Sequence, residues 1–196
     1  MARSGPVSKD TSTIALGLAQ IRVGVSATHI AAAGAALTAS DSIGALANTK
    51  FTGKTDWYKL ESGFPLLEDF TTAIRESAAL ECAFKEITPY NMALAYGQDP
   101  VTYTEVHSGE IALGTISAPS FVRMEAFYTY PDQVNEMVII FPRAQAIPNL
   151  ELDMRQEDAA ASTLTFEAKS ADSAVSGGSS VWNAKPLGSI KFRPIP

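Results

Sequence analysis

Bulky and polar side chains alternate along much of this chain, and the alternation predicts strands. Thr55-Asp56-Trp57-Tyr58-Lys59-Leu60-Glu61 places Trp, Tyr and Thr where a pleated, half-buried surface favours them. Ser62-Gly63-Phe64-Pro65 then breaks the ladder, because Gly admits unusual dihedrals and Pro removes a donor. Leu66-Leu67-Glu68-Asp69 extends this break into a long, unusually apolar inter-strand loop over residues 62–73. A second strand follows, with Ala78, Leu80, Cys82 and Phe84 on a core face and Ser77, Ala79, Glu81 and Lys85 on the other.

The same reading predicts a first strand over Thr13 to Val25, whose apolar parity switches at Gln20 and implies a bulge or bend. Val101 to Val106 and Ile111 to Ile116 form a hairpin about His107-Ser108-Gly109. From Phe121 to Tyr130 both strand faces carry bulky groups, so both are covered, by a second sheet or by another subunit. Glu136 to Phe141 continues as a strand that Pro142 stops. Ala146 to Met154 and Ser162 to Lys169 pair across the charged Arg155 to Asp158 loop, with Leu164, Phe166 and Ala168 inward and Thr163, Thr165 and Glu167 outward. Gly188 to Arg193 supplies the last strand.

One helix is clearly punctuated. Thr88 is placed to N-cap it, Pro89 sits where a missing N–H costs nothing, and Gly97 closes its end, so the helix runs from about Pro89 to Tyr96. So short a helix is held only by packing on the sheet. The Ala, Ser, Thr and Gly of Ser26 to Asn48 decide neither helix nor strand; this stretch reads as a loop followed by a short strand or turn. Residues 1–10 read as an N-terminal arm, either frayed or ordered on a neighbour, and residues 170–181, with Gly177-Gly178, as a flexible polar loop. About eight to ten strands and one helix make a mainly β chain, an antiparallel sandwich or barrel.

Composition narrows the function. A chain of 196 residues makes a single domain. It buries about 70% of its unfolded surface without needing a disulfide or metal. The single cysteine, Cys82, has no internal partner and fits a reducing compartment. A net charge of -6 disfavours gripping a phosphate backbone, though not surrounding one. The apolar run Ile30 to Leu37 is too short to span a membrane, and Ile14 to Ala19 after Arg3 and Lys9 is a weak signal-peptide core, so synthesis in the cytoplasm is expected.

Candidate chemistry is sparse. His29 and His107 lie in different loops and read as solvated surface residues, with no Cys or acidic spacing to complete a metal set. Cys82, on a buried strand face, packs as an inert small hydrophobe. Gly53-Lys54-Thr55 echoes the end of a phosphate-binding loop, but Asn48 stands where the first glycine belongs and strand follows where a helix should. Glu68-Asp69 and Glu157-Asp158 fall in loops where solvated carboxylates are the rule. Neither an enzyme nor a cofactor is expected.

The run Leu60 to Asp69, then Ile74-Arg75-Glu76, then Leu80 to Gly97 with its Thr88-Pro89-Tyr90-Asn91-Met92-Ala93-Leu94-Ala95-Tyr96-Gly97 helix, resembles the major tail tube proteins of tailed bacteriophages. Phe141-Pro142-Arg143-Ala144, Glu157 to Ala160, Leu164 to Ala168 and Trp182 to Leu187 are similar too, so the likeness spans roughly residues 40–192 in order. It implies a ring-forming, tail-tube-like fold: a structural virion protein whose hexameric rings stack into the tube through which DNA is ejected. Its partners would be copies of itself and other tail proteins, with DNA passing unbound and no membrane contact, and its location the virion tail. In that family the long loop packs on the adjacent ring, which makes Phe64, Pro65, Leu66, Leu67 and Asp69 candidate stacking residues; the other reading is a loop folded onto its own domain. Glu81, Thr163, Thr165 and Glu167, on outward strand faces, are candidates for an acidic lumen or for an external solvated face. Two further readings stay open: the tube of a secretion or bacteriocin-like particle, and a β-sandwich binding module using Tyr103, Tyr128 and Tyr130 for recognition.

Overall fold

The computed structural model describes residues 19–25, 27–62, 67–103, 108–114, 118–147 and 161–196. The fold is mainly β and antiparallel. Among the described residues its seven strands are β1 (Gln20–Gly24), β2 (Leu46–Ser62), β3 (Leu67–Phe84), β4 (Phe121–Thr129), β5 (Asn135–Ile147), β6 (Ser162–Ala168) and β7 (Ser189–Pro194). Helices α1 (Ala27–Ala31) and α2 (Pro89–Ala95) join them. The strand order is β1-β4-β5-β6-β3-β2, and β7 pairs with β5.

Pro142 does not stop its strand as expected. β5 runs through it and meets two partners on one edge, β7 along Asn135–Ile140 and β6 along Ala144–Ile147. Pro142 falls in the gap between them, where no ladder bond needs its missing N–H, and beside a bulge opposite Val122 and Met124. The sheet forks at this gap, which gives the fold its sandwich-like form. Gly188 leads into β7 with φ +125, and a Cβ there would lie 2.0 Å from the Ile140 carbonyl oxygen, so this turn requires glycine.

Both faces of β4 are buried, as its sequence predicts. Val122, Met124 and Ala126 join Ile21, Leu80, Phe84, Leu164 and Phe166 in the main core. The opposite face is covered by the same chain rather than by a second subunit. There Phe127 packs with Val138, Ile140, Ala171 and Trp182, while Arg123 and Glu125, both fully buried, pair at 2.6 Å.

This pair templates the Ala-rich segment that hydrophobic patterning leaves undecided. Arg123 donates to the carbonyls of His29 and Ala32 at 2.5 and 3.0 Å and to that of Gly34. Glu125 accepts the N–H groups of Ala36 and Leu37 at 2.8 and 3.2 Å. Trp182 Nε1 donates to Ile30 O at 2.8 Å, Lys191 to Ala33 O at 3.1 Å and Arg22 to Leu37 O at 2.9 Å. A segment with one short α-helix, one 3-10 turn (Ala39–Asp41) and no strand until its end thus has the backbone polar groups named here satisfied by side chains. Burial lowers the pKa of Arg123 and Glu125 opposes that shift; a guanidinium stays charged regardless.

Helix α2 forms as punctuated. Thr88 Oγ1 accepts the Asn91 N–H at 3.2 Å. Gln98 N–H bonds Ala93 O at 2.8 Å and Gly97 N–H bonds Leu94 O at 3.0 Å, a Schellman close with Gly97 at φ +78. Its buried face is Asn91, Ala93, Leu94 and Ala95. Asn91 Nδ2 ties the helix to the Ile43 and Glu86 carbonyls at 2.9 and 2.8 Å.

Other expectations need correction. Residues 67–73 are strand, paired with β2 up to Trp57↔Ala73, and Ser62 ends β2, so the loop expected over 62–73 is strand at its described residues, while 63–66 lie outside them. The hairpin expected over 101–116 is absent from its described residues; Pro100–Thr102 is a 3-10 turn whose N-cap is Asp99. Residues 170–181 are an ordered turn rather than a loose loop: Ala171 N–H bonds Pro186 O, Ser179 N–H bonds Ala171 O, and Asn183 accepts from Ser173. The N-terminal arm, 1–10, lies outside the described residues.

Replacing Arg123 with Met leaves Glu125 charged and buried without its partner, so we expect a loss of about 3–5 kcal/mol in urea unfolding. A loss under about 1 kcal/mol would show that the pair does not organise the segment it touches.

Candidate assembly interface

Among the described residues, Ala79–Phe84 of β3 have β6 beside them and the rest of β3 pairs with β2 alone. β2 and β3, at 17 and 18 residues, therefore project as a two-stranded ribbon about 30 Å long. The ribbon is rich in exposed apolar side chains. Trp57, Tyr58, Leu60, Phe70 and Ile74 are 46% to 67% exposed. Leu60 stands directly opposite Phe70, and Tyr58 lies on their face two residues away, so these three form one apolar surface. A register shift at Ile74, between Asp56↔Arg75 and Trp57↔Ala73, adds twist to the ribbon. A two-stranded ribbon is marginal in water on its own, and this one carries apolar surface that its own domain leaves uncovered.

The candidate stacking residues Phe64, Pro65 and Leu66 lie outside the described residues. Leu67 and Asp69 belong to the first turn-proximal positions of β3. The exposed apolar side chains of the described hairpin thus lie on its strands, at residues other than the candidates. Trp57, Tyr58 and Phe70, read as strand or loop, are the exposed anchors.

The four lumen candidates come together on one sheet face. Glu81 pairs with Thr165, Ala79 with Glu167, and Ala83 with Thr163. Glu81 and Thr163 are exposed, while Thr165 and Glu167 are half-buried. This face is not uniformly acidic, however: Lys50 opposes Glu81 in the register, and Lys169 pairs with Glu167 at 2.7 Å. Opposite-charge neighbours cancel much of the field that an acidic lining would produce.

The tyrosines considered for recognition are poorly disposed for it. Tyr128 is buried and stacks edge-on against Tyr130 at 5.4 Å, and Tyr103 donates to Gln98 Oε1 at 2.8 Å. His29 is also not a solvated residue. It lies in α1, half-buried, with Nδ1 lacking a hydrogen-bond partner among the described residues, while His107 lies outside them. A cavity of about 720 Å³ opens beside His29, Asp41, Glu86 and Tyr90. Its carboxylates serve the backbone, since Asp41 accepts the Thr38 N–H at 2.7 Å and Glu86 that of Ala45 at 2.9 Å. Among the described residues no group of three His, Cys, Asp or Glu could hold a metal, and no helix is long and apolar enough to cross a membrane.

No family model and no curated protein matches this chain. Among solved structures, the chain is similar to the cap of the anti-feeding prophage, described as its tube terminating cap. That match has a TM-score of 0.42 and 9% identity, and it covers 100% of this chain and 95% of the other. So distant a likeness carries no argument about function, which rests on the residues themselves.

Cys82 sits fully buried on the core face of β3, and burial, with Glu81 adding to it, pushes its thiol from 9.0 up to about 12. Burial, with Asp41 and Asp99 adding, likewise pushes Tyr90 from 10.0 up to about 12. Below about pH 9 folded and unfolded chains both keep these protons, so stability is fully present. As pH rises from there the unfolded chain releases protons that the folded chain retains, and stability falls. The urea midpoint should therefore drop as pH rises from about 9 towards about 12, and Cys82→Ala should flatten the drop. A midpoint that holds constant across the window would contradict the buried, protonated thiol.

Proposed function

We propose that this chain is a structural, non-enzymatic subunit that assembles with copies of itself into stacked hexameric rings, forming the tube of a phage tail. The observation that carries this reading is the β2/β3 ribbon, which holds Tyr58, Leu60 and Phe70 in solvent on one face. Such a surface is stabilised only when something covers it. Support also comes from the sequence resemblance to major tail tube proteins, whose hairpin and capped helix this chain reproduces in order. In this reading DNA passes through the tube without being gripped, past a face where Lys50, Glu81, Glu167 and Lys169 nearly balance. The protein belongs to the virion tail after synthesis in the host cytoplasm, and its partners are its own copies and other tail proteins. The tube of a secretion or bacteriocin-like particle would use the same assembly chemistry.

The test is assembly itself, followed by sedimentation velocity over a concentration series. Leu60→Ser with Phe70→Ser removes two large apolar side chains, each contributing about 1.5–3 kcal/mol when buried. The concentration needed for assembly should rise at least about a hundredfold while the circular dichroism and the urea midpoint of the monomer stay unchanged. Assembly equal to that of the unaltered protein would refute the ribbon's role.

A further inference from the structure

The cavity beside α2 carries negative charge that no Lys or Arg among its described lining residues offsets. Asp41 and Glu86 line it together with the apolar Val23, Val25, Ile43 and Val101. Both carboxylates accept backbone N–H bonds, which a carboxylate does without giving up its charge. Burial first, then Asp41 and Asp99, push the Tyr90 phenol upward, so the field of these carboxylates reaches the cavity wall. Lys85, beside Glu86 in sequence, is exposed and is not among the described lining residues. Val101, 54% exposed, leaves apolar surface open at the cavity.

The opposite character occurs at β7. Ile190 and Phe192, 44% and 69% exposed, lie on one face of this strand, and Lys191 and Arg193 alternate with them on the other. Glu136 pairs with Arg193 at 2.6 Å, but among the described residues no carboxylate lies within ion-pair distance of Lys185 or Lys191. Burial first, then Lys185, Arg193 and Arg123, lower the pKa of Lys191, with Glu125 opposing, so these cations form one positive patch on an acidic chain. The two surfaces lie at different ends of the sheet. Gly24, in the cavity wall, stands opposite Arg123 of β4, whereas Phe192 stands opposite Met137 and Met137 opposite Tyr128. From Arg123 to Tyr128 is about 17 Å along the strand, too far for one copy to bring its own Phe192 to its own cavity.

We infer that β7 of one copy docks at this cavity of a second copy, Phe192 against Val101 and the neighbouring apolar walls, Lys185 and Lys191 towards Asp41 and Glu86. This contact rests on the self-assembly proposed above and adds a second surface to that of the ribbon. A volume of about 720 Å³ is ample for an aromatic side chain. The buried aromatic supplies affinity, and the opposite charges select the partner and its orientation. Two β7 patches repel each other, as do two cavities, so the contact is head-to-tail, the kind that closes rings or propagates along an axis.

Two altered chains test it in sedimentation velocity, one carrying Val101→Lys and the other Lys191→Glu. The first sets a cation at the cavity, and the second sets a carboxylate in the β7 patch. Each alone should need at least about a tenfold higher concentration to assemble. An equimolar mixture should assemble like the unaltered protein, since the altered β7 then meets the altered cavity and each remaining pair is native. Lys191 also bonds Ala33 O, so the fold of the second chain is checked by its urea midpoint. Should that chain unfold, Val101→Cys and Phe192→Cys on separate, otherwise unaltered chains replace the pair. Oxidation of their assembled mixture should yield a disulfide-linked heterodimer, which Cys82, being buried, does not intercept. Normal assembly of either altered chain, a mixture no better than its parts, or no heterodimer would each overturn the β7 contact. If the unaltered protein assembles in those cases, self-assembly stands and the lysines merely guard an open edge. Failure of the unaltered protein to assemble would remove the proposed function, and this contact with it.

Discussion

The buried ion pair of Arg123 and Glu125 is the constraint on which the arrangement of this domain depends. Removing two charges from water costs several kcal/mol each, and their mutual attraction offsets that only when the remaining donors and acceptors are engaged. Here they are, by carbonyls and N–H groups spread from His29 to Leu37. The pair thereby converts a stretch with almost no apolar patterning into a fixed cover over one face of β4. Trp182, reaching Ile30 from the far end of the chain, closes the same layer. With that face covered internally, β4 and β5 need no second subunit to bury them, and surface left for partners is displaced to the ribbon and the edges.

The fork at Pro142 sets where those edges fall. One arm of β5 carries β7, the other carries β6 and, beyond it, β3 and β2. The long hairpin leaves the sheet where β6 ends, so among the described strands its distal half has no neighbour. Open edges and bare ribbons are liabilities in a monomer, because they invite pairing with other chains. In a subunit built to assemble they are the means of assembly.

What could be read from the chain was local. The Thr88 cap, Pro89 and the Gly97 close specify α2 within ten residues, and strict alternation assigned the core faces of β3 and β6 correctly, down to Leu80, Cys82, Leu164 and Phe166. What could not be read depended on partners distant in sequence. The strand character of Leu67 to Ala73 comes from its register with Trp57 to Ser62, not from its own composition. Pro142 is tolerated because of where two other strands end, and the order of 170–181 comes from Asn183 and Pro186 rather than from its own Gly and Ser. The Ala-rich segment is ordered by Arg123 and Glu125, whose partners lie 88 to 94 residues away in the chain. Of the candidate interface, the sequence pointed to an apolar hairpin, whereas the exposure of Trp57, Tyr58, Leu60 and Phe70 follows from where β6 ends, which no local pattern states.

Negative-stain electron microscopy of the purified protein across a concentration series tests the central claim most directly. Rings or hollow rods of uniform width, appearing as concentration rises, are the predicted result. Single small particles at every concentration, even with a tail initiator complex supplied, would contradict it.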